Sequence, residues 1–278
     1  MYISNNFIYT ELHKTAGTHI GKWLSILAPG TQVGKHNRVP HSLRDRPIIG
    51  SIRNPWDWYV SLWGYGCDMK GSVWYQTANR YNFSYYRKQL PKEMGRKLLS
   101  PSVLLKQSLS DRSKPLAEWS NSYADSSNPE CFKSWLKLMF DYQRRLDIRE
   151  GFGFSPISRK CGLLSYRFFK FFTDLDQKLY NDNLFSNNLN IEEIWNQHKI
   201  AYNFIRMENL EDDLLQIMKT VGVDVSINNK EKLLDAKISK TNTSSRLPAS
   251  YYLDDETIEM IYDRENLIVK LFNYTPPI

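Results

Sequence analysis

The sequence predicts an α/β fold of three layers, with a central parallel sheet flanked by helices. Short apolar runs typical of strands alternate along the chain with stretches of helical periodicity. One run, 47–52, is apolar almost throughout, as expected of a strand covered on both faces. Neither an internal repeat nor a flexible linker divides the 278 residues, so we predict one domain over 1–278.

The first strand is predicted over 7–12, where residues of high strand propensity alternate. It leads into a short polar turn, 13–18, that contains a single glycine. Beyond the turn, apolar residues recur at helical spacing until Pro29 ends the pattern. A strand, a tight turn and a helix in this order are typical of the first unit of a parallel α/β sheet.

Later segments continue the alternation. The strand over 47–52 leads into a helix, because Asn54 suits the N-cap and Pro55 the first helical position. A further strand is predicted at 202–207, and further helices at 129–148, 210–221 and 254–272. Residues 66–128 follow a weaker pattern, and we expect there an insertion of short helices and long loops. This insertion is expected to serve as a lid over the side of the binding site that takes the acceptor substrate.

The amino-acid composition limits the classes of ligand and partner that we expect the protein to bind. Thirty-seven Lys and Arg against 30 Asp and Glu leave a net charge of +7, which suits an anionic ligand. Long Lys/Arg runs are absent, so no nucleic-acid partner is expected. No apolar stretch reaches the roughly 18–20 residues of a membrane span. The N-terminal sequence lacks a signal-peptide pattern, and the three cysteines form no metal or disulfide pattern; we therefore expect a cytoplasmic protein.

The turn after the first strand has the chemistry of a phosphate-binding loop. Backbone N–H groups at a helix N-terminus lack partners within the helix and carry partial positive charge. Lys14 adds a full positive charge, and Thr15 and Thr18 add hydroxyl donors. Gly17 allows a ligand close to the backbone. The spacing is not that of a Walker A loop, because Lys14 precedes the glycine. An ordinary α/β turn with an exposed lysine remains the alternative.

A second phosphate site is predicted at the end of the strand over 47–52. Arg53 stands at its carboxyl end, where ligands bind in open α/β sheets. The planar guanidinium can hold a phosphate through two hydrogen bonds. Ser61, about two turns into the following helix, can place its hydroxyl beside the same phosphate. Alternatively, Arg53 pairs with a carboxylate such as Asp57, and Ser61 is simply a small helical residue.

These segments resemble sulfotransferases that use 3′-phosphoadenosine-5′-phosphosulfate (PAPS), particularly the carbohydrate-type and bacterial branch. The segment HKTAGTH at 13–19 resembles the 5′-phosphosulfate loop of that family, and IRNPWDWYVSL at 52–62 resembles its 3′-phosphate motif. The segment 204–210 resembles the strand that leads into a late helix, and 240–246 resembles the C-terminal nucleotide loop. The likeness covers both ends of the chain and is weak over 66–128.

The resemblance implies a P-loop-like fold and transfer of a sulfuryl group from PAPS to a hydroxyl acceptor, with PAP as product and without a metal. A saccharide or glycolipid acceptor is expected, while a phenol or a small alcohol stays open. The residues implied for binding the nucleotide are Lys14, Thr15, Ala16, Gly17, Thr18, His19, Arg53, Ser61, Lys240, Asn242, Ser244 and Arg246.

Two residues are predicted to carry out the transfer. The resemblance gives Lys14 the role of stabilising negative charge on the leaving oxygen. A base must take the proton of the acceptor hydroxyl, and histidine suits this task. His36 is the first candidate, because a Lys-His pair between the two phosphate motifs is associated with the acceptor side in the carbohydrate-type branch. His41 and Glu11 remain alternatives.

Other residues and functions are assigned less directly. His13 and His19 flank the loop and are expected only to orient it, and Arg206 and Glu208 are expected to brace the sheet. Two rival functions stay open: an ATP-dependent kinase, since kinases also use a strand–loop–helix cradle for phosphate, and a non-catalytic protein that binds a glycan or a nucleotide. Missing Walker A spacing argues against the kinase.

Overall fold

The computed structural model describes residues 1–81, 87, 100–186, 190–236 and 246–277. The strands within them are β1 (Tyr2–Ser4), β2 (Ile8–Tyr9), β3 (Gly30–Gln32), β4 (Ile48–Ile52) and β5 (Asn203–Arg206). The helices are α1 (Gly17–Leu27), α2 (Pro55–Cys67), α3 (Ser72–Thr77), α4 (Pro101–Arg112), α5 (Leu116–Ser122), α6 (Pro129–Phe140), α7 (Leu163–Phe172), α8 (Asp182–Ser186), α9 (Ile191–His198), α10 (Leu210–Thr220), α11 (Ile227–Ala236) and α12 (Asp255–Phe272). The predicted α/β class is confirmed.

The five strands form one mixed sheet in the order β3-β1-β2-β4-β5. β2, β4 and β5 are parallel, with Ile8 opposite Ile48 and Ile49 opposite Asn203. β1 runs antiparallel to both β2 and β3. A central sheet that is parallel throughout and flanked by helices is not confirmed, because the sheet is small and partly antiparallel.

The chain groups into two compact units, each built from three separate segments. The first unit comprises Met1–Asn54, Arg167–Asp174 and Trp195–Thr243, and it contains the whole sheet. The second comprises Pro55–Tyr166, Leu175–Ile194 and Ser244–Ile278. One domain over 1–278 stays a prediction, as does the role of 66–128 as a lid; in the described part of that segment, α3, α4 and α5 are short helices.

The core of the first unit forms where α1 and α10 pack on the sheet. α1 buries Ile20, Trp23, Leu24 and Leu27, the four residues whose spacing predicts this helix. Burying an apolar side chain of this size contributes roughly 1.5–3 kcal/mol to the free energy of folding, so the apolar face of α1 holds the helix firmly on the strands. The N-terminus of α1 is thereby held next to the end of β2.

The second unit has a core of aromatic side chains contributed by α2 and α6, and α12 packs against both helices. α6 ends at Phe140, earlier than the predicted 148, because Asp141 leaves the helical conformation and its side chain caps a new turn by accepting from the Gln143 N–H at 2.8 Å. α12 begins at a capping box between Asp254 and Thr257. In the described part of the chain, every helix is too short or too polar for a membrane crossing.

Candidate functional site

The loop between β2 and α1 lies at the carboxyl edge of the parallel strands. β2 and β4 are parallel neighbours, so the residues that follow them share this edge. Lys14 and Ala16 adopt left-handed backbone conformations, with φ of 65° and 57°, whereas Thr15 between them does not. Alternation of this kind directs successive backbone N–H groups into a concavity that binds anions.

A buried chain of hydroxyl groups holds this loop on the sheet. The Thr15 hydroxyl donates to the Leu12 carbonyl at 2.9 Å, and it lies 2.7 Å from the Ser51 hydroxyl. Tyr9 donates to Ser51 at 3.0 Å. Since Thr15 uses its only proton on Leu12, Ser51 donates to Thr15, and the chain runs in one direction. The Thr15 hydroxyl, predicted as a donor to the ligand, thus spends its proton within the protein.

Arg53 and Lys14 come together at this edge. Arg53 directly follows β4, is only 5% exposed, and donates from Nη1 to the Lys14 carbonyl oxygen at 3.3 Å. The hydrogen bond joins the end of one parallel strand to the loop that follows its neighbour. The guanidinium predicted for the second phosphate motif therefore contacts the backbone of the loop that carries Lys14.

Gly17 begins α1 against the buried side chain of Glu11. A Cβ atom at this position would lie 1.4 Å from Glu11 Oε2, so no side chain fits there. The sequence assigns Gly17 to ligand approach, and the structure adds this second reason for a glycine. The next residue, Thr18, is exposed, and its hydroxyl accepts a hydrogen bond from Lys35 Nζ at 2.8 Å.

The start of α1 also fixes Ala16 and His19. The Ala16 carbonyl accepts from the N–H groups of His19 and Ile20, at 2.9 and 3.0 Å. The His19 ring accepts at Nε2 from the Trp23 indole N–H at 3.1 Å. Because Trp23 packs in the core of the first unit, α1 itself sets the orientation of His19.

His36 lies close to the start of the loop. Its Nδ1 is 3.2 Å from the Glu11 carbonyl oxygen. A carbonyl oxygen only accepts, so Nδ1 carries the proton and the neutral ring has its lone pair on Nε2. The Thr10 hydroxyl donates to the Asn37 carbonyl at 2.6 Å, which ties this segment to the end of β2. The face of His36 stacks on His13, with ring centroids 3.6 Å apart.

The other histidines have different surroundings. His41 is exposed in the 3-10 turn His41–Leu43. His198 Nδ1 lies 2.7 Å from Asp174 Oδ1. Among the candidates for the base, His36 and Glu11 both lie beside the loop, Glu11 with its side chain buried against Gly17.

Ser61 and Arg246 belong to the second unit. Ser61 is buried within α2. Arg246 Nη2 forms an ion pair with Asp57 at 3.2 Å, so Asp57 pairs with an arginine other than Arg53, the partner named in the alternative to the phosphate role. The predicted nucleotide-binding residues Lys240, Asn242 and Ser244 lie outside the described residues.

Arg206 and Glu208 brace the first unit, as expected from the sequence. Arg206 makes a two-pronged ion pair with Asp213, in which Nε and Nη2 each lie 2.8 Å from a carboxylate oxygen. Glu208 accepts from the backbone N–H of Asn54 at 2.6 Å. The Glu208 contact anchors the chain directly after Arg53.

Comparisons of the chain with protein-family models, curated proteins and solved structures found no match. The chemistry of the site is therefore inferred from its own geometry. A left-handed loop at a helix N-terminus, with a buried guanidinium in contact with its backbone, can hold an anion. A neutral histidine with its lone pair on Nε2 can accept a proton.

Proposed function

We propose that the chain is a sulfotransferase that moves a sulfuryl group from PAPS to a hydroxyl acceptor, a saccharide or a glycolipid. The observation that carries the proposal is the contact of the buried Arg53 guanidinium with the loop that contains Lys14, where Arg53 donates to the Lys14 carbonyl at 3.3 Å. Cations at neighbouring strand ends suit a donor with a phosphosulfate at one position and a phosphate at another. In this proposal, β2, the loop and α1 form the phosphate unit of a P-loop-like, three-layer fold.

Lys14 serves the donor side of the transfer. The bond between sulfur and the bridging oxygen breaks, and its electron pair stays on the 5′-phosphate. The Lys14 ammonium and the backbone N–H groups of the loop stabilise the charge that grows there. Because the loop is fixed beforehand by the buried hydroxyls of Ser51 and Thr15, these groups need little rearrangement.

His36 serves the acceptor side. A new bond forms between the acceptor oxygen and sulfur, and the hydroxyl proton passes to Nε2 of His36. The Glu11 carbonyl holds the Nδ1 proton, which keeps the ring in the tautomer that this step needs. The same hydrogen bond remains in place when the ring becomes positively charged.

Nucleotide binding measured by titration calorimetry tests the donor assignment. PAP is expected to bind in the presence of EDTA, because phosphate recognition is assigned to Lys14, Arg53 and the loop. ATP with Mg²⁺ is the matched comparison, since a kinase would require both. Tight binding of ATP with Mg²⁺ and no binding of PAP would refute the sulfotransferase and favour the kinase.

Transfer itself is tested with sulfur-labelled PAPS and a panel of saccharides, glycolipids, phenols and small alcohols. We expect label in at least one hydroxyl acceptor, and none when Lys14 is replaced by alanine. The control is Lys22→Ala, which removes an exposed lysine from α1, the helix that follows the loop. PAP binding without transfer to any member of the panel would instead favour a non-catalytic nucleotide-binding protein.

A further inference from the structure

Two histidines that are distant in the sequence stack face to face beside the loop. The rings of His13 and His36 have centroids 3.6 Å apart and planes 13° apart. His13 stands between the buried Leu12 and the left-handed Lys14. Phe171 lies on another side of His13, at a centroid distance of 6.4 Å. The segment of His36 also has unusual backbone geometry, since His36 itself has a φ of 52°. Two constrained loops thus bring the rings into contact.

The hydrogen bond from His36 to Glu11 does not fix the ring plane by itself. The terminal torsion of a histidine side chain has a broad energy minimum, so a ring held at one nitrogen can still swing. A flat neighbour at stacking distance restricts this movement. His13 covers one face of His36 and therefore limits where Nε2 can point.

The pair also limits the charge that His36 can carry. Positive charge on both rings at 3.6 Å is strongly unfavourable, so the two protons are taken up in separate steps. The positive charges of Lys14 and Lys35, which are next in sequence to the two histidines, also oppose protonation of the rings. The negative carboxylate of Glu11 favours it. Phe171 adds no charge.

We propose that His13 is a positioning residue for His36: it holds the imidazole plane by stacking and opposes protonation of Nε2, so that His36 remains a proton acceptor. The catalytic part of this inference rests on the proposed function. The stacking and the coupled uptake of protons do not depend on it, and they can be measured without any substrate.

Ring-nitrogen NMR over a pH titration tests the pair directly in the full chain. In the wild type, neutral His36 is expected in the Nδ1–H form, and the pair should take up its protons in steps separated by more than about one pH unit. His13→Phe keeps a ring for stacking but removes the charge. In this variant the tautomer should persist, and His36 should titrate in one step at higher pH.

His13→Ala removes both the charge and the stacking surface, so the tautomer preference of His36 should weaken as well. His41, exposed in the same unit, is the reference, and its ring-nitrogen signals should be the same in the wild type and in both variants. An identical titration of His36 in the wild type and in His13→Phe would overturn the coupling. An unchanged tautomer in His13→Ala would overturn the positioning.

Kinetics connect the pair to the reaction. His13→Phe should retain more turnover at pH 8 than His13→Ala, because it keeps a ring for stacking, and the acidic limb of its pH–rate profile should move to higher pH. His13→Ala should lose turnover by about 10- to 100-fold with an unchanged KM for the donor, as expected for a misplaced catalytic group. If the NMR results hold and the wild type transfers no sulfuryl group, the proposed function fails and the histidine pair stands. If transfer occurs and the NMR coupling is absent, the pair fails and the proposed function stands.

Discussion

At the scale of single residues, Lys14 and Ala16 carry side chains in a conformation that glycine adopts more easily. A non-glycine residue in the left-handed region costs roughly 1–2 kcal/mol. The buried hydroxyls of Tyr9, Ser51 and Thr15 offset part of this cost, because each internal hydrogen bond contributes about 1 kcal/mol. A glycine at position 14 would relieve the strain but would remove the ammonium. Backbone stability alone therefore does not favour a lysine at this position.

Lys14 and His36 should affect different steps when replaced. Lys14→Ala removes charge stabilisation on the donor side, so turnover should fall roughly 10²-fold or more, and PAP affinity should fall with it. His36→Ala removes the base, so turnover should fall about 10²- to 10⁴-fold while PAP affinity stays nearly intact. Calorimetry with PAP and transfer assays with labelled PAPS separate the two effects.

His41, which is exposed, offers the matched control for the variants Lys14→Ala and His36→Ala. His41→Ala should leave both turnover and PAP affinity unchanged. If activity survives in His36→Ala and is lost in His41→Ala, the base is His41. If neither substitution matters, Glu11 is the next residue to test.

Arg53→Ala should weaken PAP binding by about 2–4 kcal/mol, because a charged phosphate contact from a buried guanidinium is lost. Adenosine-5′-phosphosulfate lacks the 3′-phosphate, and its binding should change far less. Calorimetry on both ligands measures the difference, with the exposed Arg112 on α4, changed to alanine, as the control. Equal losses for both ligands would show that Arg53 acts through its hydrogen bond to Lys14 rather than on the 3′-phosphate.

The sequence reveals the ionic residues of the site more readily than the contacts that orient them. Lys14 and Arg53 are visible because each follows a predicted strand, at the edge where parallel strands end. Ser51 gives a weak signal, as the hydroxyl residue within an apolar run. The stacking of His13 on His36 leaves no trace in a linear pattern, since the contact joins residues 23 positions apart through two left-handed turns.

At the scale of elements, α7 begins on a buried carboxylate that α12 supplies. Glu265 accepts from the backbone N–H groups of Leu164 and Ser165 and from the hydroxyls of Ser165 and Tyr59. The Leu163 N–H donates to the Tyr59 hydroxyl at 3.1 Å. Three of the N–H groups that a helix start leaves unpaired are satisfied in this way. Gly162 precedes them because a Cβ there would lie 2.2 Å from Glu265.

Burial raises the pKa of Glu265 to about 7, although the hydrogen bonds from Ser165 and Tyr59 act to lower it. The unfolded chain loses this proton near the ordinary value of 4.5, so between pH 4.5 and 7 the folded protein holds the extra proton. The protonated Glu265 carboxyl contributes roughly 3 kcal/mol to the free energy of unfolding. This contribution is complete below pH 4.5 and declines as the pH rises from 4.5 to 7. Urea unfolding at several pH values should therefore show a decline that Glu265→Gln lacks.

Glu256→Gln is the control, since Glu256 lies exposed on the same helix. Its hydrogen bond with Lys133 lowers its pKa, so its charge stays constant between pH 5 and 8. The variant should keep the wild-type slope. Equal slopes for the wild type and Glu265→Gln would mean that Glu265 stays ionised in the folded protein.

The elements that the sequence predicts well are those with a clear apolar period and a terminal signal. α1 and α10 end near Pro29 and Gly222, and Gly222 has the positive φ, 72°, that favours glycine. β1 and β3 are missed because each has only three residues, and β3 is exposed along its whole length. β2 ends at Tyr9 rather than 12, because the buried residues beyond it belong to the loop.

At the scale of the whole molecule, the net charge of +7 creates a field that attracts anions before any contact forms. Salt screens this field, since the Debye length falls from about 30 Å at 0.01 M to about 3 Å at 1 M ionic strength. A buried contact such as that of Arg53 is screened much less. Attraction at long range and contact at short range therefore respond differently to salt.

PAP binding measured by stopped flow should separate these two contributions. The association rate constant is expected to fall on the order of tenfold between 0.01 M and 1 M salt, because steering is lost. The dissociation rate constant should change less, because it reports the short-range contacts at Lys14 and Arg53. Adenosine carries no charge, and its association should not depend on salt. If the dissociation rate constant instead carries the salt dependence, the phosphate contacts lie in open solvent, and the assignment of the donor to the edge beside the buried Arg53 is wrong.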